Sequence, residues 1–94
     1  MINKSFFTDR LAALQAEFRA ASGVETPAVE LLIRSGMMLT VEGELRAEDD
    51  FVVLDYKLRG KIHRAVVPYD SIVAVGFAPE APDHKSRAPL GFSL

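Results

Sequence analysis

Apolar residues recur near the start of the chain at steps of four and three: Phe7, Leu11, Leu14, Phe18 and Ala21. On a helix of 3.6 residues per turn these share one face, so the spacing predicts an amphipathic helix over about 8–22. Thr8 is its expected N-cap, Asp9 lies in its first turn, and Gly23 is its expected C-cap. After "GVETP" the period falls to two. Val29, Leu31 and Ile33 alternate with Glu30, Leu32 and Arg34. Leu39, Val41, Gly43 and Leu45 then alternate with Thr40, Glu42, Glu44 and Arg46. Such alternation predicts strands with one solvated face. "FVVLDYKL" and "KIHRAVV" follow, joined by Arg59-Gly60, where glycine supplies a positive φ. Pro68 has no N–H to give a ladder. It is expected to end the fourth strand and open a tight turn into a fifth, "SIVAVGF".

The sum is a mainly β domain with one N-terminal α-helix: a small, partly open, strongly bent, five-stranded antiparallel barrel. The domain is expected over 1–77, with the barrel over about 28–77. Gly43, in mid-strand, is the expected bend that lets the second strand serve both halves of the barrel. The stretch 78–94 holds three of the five prolines and no periodicity, and is expected to be extended or disordered.

A chain of 94 residues makes one domain with a limited core, for which oligomerisation is a natural supplement. The absence of cysteine excludes disulfides and thiolate metal sites. No apolar run reaches the roughly 18–20 residues that span a bilayer, and charges interrupt "MINKSFFTDRLAAL", so a cytoplasmic protein with no membrane partner is expected. The net charge of −2 gives no global attraction to nucleic acid, which leaves only local patches. His63 and His84 stand far apart without matched ligands, and the serines lie outside any nucleophile motif. The neighbouring carboxylates Glu48, Asp49 and Asp50 lie in a tight turn that is hard to bury, which suits acid–base chemistry poorly. Neither an enzyme nor a cofactor is expected.

One patch stands out. Lys57, Arg59, Lys61, His63 and Arg64 interleave with Tyr56 across the third and fourth strands. Such a pattern suits contact with a nucleic-acid backbone, and equally suits a solvated hairpin whose charges protect an edge. A smaller basic group, His84, Lys85 and Arg87, lies beside Glu80 and Asp83.

The order of elements, with "GELRAEDDFVVL" followed by "VPYDSIVAV", resembles the Sm-like family, and its bacterial Hfq branch most closely, over roughly residues 7–77. Gly43, Leu45, Asp49, Phe51, Val52, Val53 and Leu54 carry the resemblance, with Val67, Ile72 and Val75 downstream and "PAVELLIRSG" upstream. It implies a homo-oligomeric ring in which the fourth strand of one subunit pairs with the fifth of the next. Val66, Val67, Ile72, Val73 and Val75 are then the interface candidates. It also implies that Phe51, beside Asp49, lines a nucleotide pocket near the pore; a core position is the competing assignment for Phe51.

Departures from the family pattern bear on function. Pro68, Tyr69 and Asp70 stand where Hfq has tyrosine, lysine and histidine, so cations give way to an aromatic and an anion. Val52 and Val53 occupy the region of the asparagine in the eukaryotic and archaeal pattern. Leu32 stands at the Hfq adenine-stacking tyrosine, and the arginine-rich rim shrinks to Arg19. "RSGMMLTVEG" is two residues longer between its glycines than in Hfq. The expected function is an Sm-like ring that binds single-stranded RNA with altered base preference, through Phe51, Tyr69, Asp49, Lys57, Arg59 and Lys61. The alternative is an oligomeric scaffold for a protein partner, and a third is an SH3-like interaction domain without a ring.

Overall fold

A computed structural model describes residues 2–79. The helical segment opens with one π-helical turn, Phe6–Arg10, and continues as α1, Leu11–Ser22. It starts earlier than the apolar spacing suggested. Phe6 N–H donates to the carbonyl of Asn3 at 3.1 Å and to its side-chain oxygen at 3.2 Å, while the Thr8 hydroxyl, inside the helix, donates to Asp9 instead of capping. The wide turn brings both Phe6 and Phe7 against the core. Gly23 ends α1 as expected, with φ of 77° and its N–H donating to Arg19 O at 2.8 Å.

Five strands follow: β1 (Ala28–Ile33), β2 (Met38–Ala47), β3 (Phe51–Leu58), β4 (Lys61–Pro68) and β5 (Ile72–Ala78), with a 3₁₀ turn, Tyr69–Ser71, between the last two. All pairings are antiparallel and the sheet order is β4-β3-β2-β1-β5. β2 is the shared element. Met38–Thr40 pairs with β1, while Val41, Glu42, Arg46 and Ala47 pair with β3. The register breaks between Glu42 and Arg46, around Gly43 at φ of 72°. A left-handed residue there bends the strand at little cost only because it is glycine.

The bend wraps both halves around one core. Val52, Val53 and Leu54 are buried in succession, and Leu31, Leu54 and Val52 are the most enclosed side chains. α1 covers one side through Leu11, with Phe7 from the preceding turn, while Phe18 meets Phe77 at 6.0 Å between ring centres. Gln15 donates to the carbonyl of Pro27 at 2.8 Å, tying α1 to the entry of β1.

Among the described residues no backbone ladder joins β4 to β5, so each is a free edge of the single chain. β5 runs to Ala78; the expectations for the tail beyond residue 79, including its basic group, lie outside the described residues. No described helix is long and apolar enough to cross a membrane.

Candidate binding surfaces

The acidic turn between β2 and β3 is closed by backbone: Glu48 N–H donates to Phe51 O at 2.8 Å. The side chain of Asp49 turns outward and takes an ion pair from Lys4 at 3.0 Å. That hydrogen bond and charge raise the pKa of Lys4. Arg46 pairs with Glu48 at 2.6 Å. Phe51 opens β3 opposite Pro68 and is half-buried, which keeps part of its ring at the surface beside the turn.

Tyr69 holds this turn from below. Its N–H donates to Asp50 O at 3.3 Å and its hydroxyl donates to Glu48 O at 2.5 Å. The ring stacks on Phe7 at 5.8 Å and is only 6% exposed. Burial pushes the phenol's pKa above its ordinary value. The sequence pointed to Tyr69 as an RNA contact; the structure places it in the core, where its face is covered and its hydroxyl already engaged. The stripe Phe7–Leu11 was legible, but nothing in it announced that Phe7 would seek Tyr69. Next to it Asp70 is exposed, and its carbonyl accepts from the Arg34 guanidinium.

The β3–β4 hairpin divides into two parts. Nearer the sheet, Arg64 grips Asp55 with two hydrogen bonds of 2.8 and 3.3 Å, which lowers the pKa of Asp55. There Tyr56 stacks on His63 at 5.5 Å. Towards the tip, Arg59 and Gly60 turn the chain with φ of 53° and 79°, the pair of positive values a tight hairpin requires. Lys57, Arg59 and Lys61 are exposed there, and none forms an ion pair among the described residues.

Beside this tip, the start of β2 and the turn enclose a groove of about 390 Å³. Met37, Met38 and Leu58 line it and are 56%, 52% and 48% exposed. Met37 ends the β1–β2 connection and Met38 opens β2; these adjacent methionines in "RSGMMLTVEG" were the sequence signal for this groove.

The interface candidates separate into two sets. Val67 and Ile72 are buried in their own chain's core, whereas Val66 and Val73 are 60% and 55% exposed and Val75 is half-buried. Among the described residues no group of three or more metal-ligating side chains gathers, and His84 lies outside them.

The fold and its surfaces define a helix-covered, sharply bent antiparallel sheet with two open edges and a basic, partly apolar hairpin tip. Searches against family models, curated proteins and solved structures find no match to this chain.

Proposed function

We propose that this chain is an Sm-like subunit that assembles edge to edge into a ring and binds single-stranded RNA in the cytoplasm, as a binding module without a cofactor. The strand order β4-β3-β2-β1-β5 is the observation that carries the reading. It leaves two open edges, one presenting Val66 and the other Val73. An edge that exposes unpaired backbone and apolar side chains invites pairing. Joining β4 of one copy to β5 of the next is a head-to-tail contact, which closes into a ring when the rotation allows. Light scattering on the purified chain should give a multiple of the 10.3 kDa subunit, and Val73→Lys should reduce it; a clean monomer at micromolar concentration overturns the reading.

Lys57, Arg59 and Lys61 supply the phosphate contacts, and the open part of Phe51 a base contact. Fluorescence anisotropy with U-rich, A-rich and mixed RNA at several salt concentrations tests this. Neutralising the three cations should lower the salt slope by about 2 per site, at roughly 0.7 per phosphate for single strands. Phe51→Ala should alter base preference instead.

The scaffold reading has its own support in Tyr69, whose burial removes one aromatic platform from the nucleotide surface. A stable ring without RNA binding below about 10 µM, inside the range of non-specific attraction, would favour it.

A further inference from the structure

We propose that the groove beside the β3–β4 hairpin is a docking site for an acidic peptide segment of a partner protein, one that carries a large apolar side chain between its carboxylates. The site goes beyond the RNA reading and shares with it only the hairpin cations.

Three observations converge. The groove's volume of about 390 Å³ is within the roughly 300–1,000 Å³ of ligand-holding clefts. Its lining is mainly apolar, and Met37, Met38 and Leu58 are each about half exposed, so apolar surface there awaits cover. Unbranched thioether side chains adapt to varied apolar shapes, which suits a site for peptide side chains.

Charge then selects the partner. Lys57 and Arg59 line the same groove, and Lys61 follows across the turn. None has a carboxylate partner among the described residues, and Asp55 on the same hairpin is held by Arg64. Glu42 is the one acid in the lining, so cations prevail. An apolar anchor flanked by Asp or Glu satisfies both features at once. A nucleobase fits less well. Tyr56 is the one aromatic in the lining and one of its faces is taken by His63, while Met37, Met38 and Leu58, which supply the rest of the apolar lining, offer a base no stacking platform.

The test uses the full chain and a fluorescein-labelled peptide with a Leu-Phe pair set among Asp and Glu, against a control in which serines replace the pair. Anisotropy should show the apolar peptide binding about tenfold or more tighter than the control. Met37→Ser with Met38→Ser should remove that advantage while leaving oligomer size and RNA affinity unchanged. Both side chains are more than half exposed, so the variant should fold, which circular dichroism checks. Lys57→Ala with Arg59→Ala should weaken the peptide more at low salt than at high. Equal binding of the two peptides, or a methionine variant that binds like the parent, overturns the proposal. Loss of RNA binding in the methionine variant, without peptide binding, assigns the groove to RNA and also overturns it. Peptide binding without any RNA binding sustains it and defeats the RNA reading alone.

Discussion

Substituting Gly43 tests what bends β2. A Cβ at this position meets no heavy atom within 4 Å, so crowding is absent and only the backbone, at φ of 72°, resists a side chain. For an L-residue the left-handed region costs roughly 1–2 kcal/mol. Replacing glycine stiffens the unfolded chain and returns about 0.4–1 kcal/mol. The balance for Gly43→Ala is a loss of about 1 kcal/mol, or roughly 4–8 °C in Tm for a domain of this size. Asparagine tolerates the left-handed region better, so Gly43→Asn should lose about half as much. Gly43→Val should lose most, because branching at Cβ makes a positive φ costlier still. The order of stability is therefore glycine, asparagine, alanine, valine. Resistance by crowding would instead follow size and place asparagine below alanine. Thermal unfolding followed by far-UV circular dichroism, at one fixed protein concentration because the proposed assembly would shift Tm, reads the order. Alanine matching glycine, or asparagine falling below alanine, would refute a left-handed hinge as the cause of the bend.

Tyr69→Phe should cost about 1 kcal/mol in urea unfolding, since it leaves the Glu48 carbonyl without its donor. Because burial raises the phenol's pKa in the folded state, its stability is intact below the ordinary phenol value and falls as pH rises through the folded one; Tyr69→Phe should flatten that alkaline decline. Asp55, held by Arg64, should titrate below an ordinary aspartate by NMR, so its share of stability is present above the ordinary value and lost as pH falls through the lowered one; Arg64→Ala should return its midpoint upward. Arg59→Asn should raise stability by about 0.5 kcal/mol, because asparagine accepts the positive φ more readily, while weakening any anion held at the hairpin.

Local signals carried most of the fold. The change of period at "GVETP", the glycine in mid-strand and Pro68 mark the helix, the bend and the last turn where the structure has them. Each works through nearest neighbours in the chain: a face, a positive φ, a missing N–H. The start of the helix was less legible, because it depends on Asn3 receiving the N–H of Phe6 and on two adjacent phenylalanines both reaching the sheet. The site was less legible for the same reason on a larger scale. Tyr69 reads as an exposed aromatic beside an acid until Phe7, 62 positions away, lies on its ring and Glu48 takes its hydroxyl. Likewise the resemblance placed Val66 and Val67 together at an interface, whereas strand alternation assigns them to opposite faces, and only the fold decides which face is open.

The two proposed uses of this surface make separable demands on the chain. Edge pairing needs the backbone of β4 and β5, with Val66 and Val73 beside it. The groove is built from the start of β2 and from Tyr56–Gly60, and takes no residue from β4 or β5. Assembly through the edges therefore leaves the groove's lining residues uncommitted, and a ring of such subunits would present one copy per subunit. A partner with several acidic, apolar segments would gain by engaging more than one, since each further contact is made at the high local concentration the first creates. The edge variant Val73→Lys separates the two contributions. It should leave the affinity of a single peptide nearly unchanged while abolishing the gain shown by two tethered copies. If single-peptide affinity fell with it, the groove would depend on the neighbouring subunit.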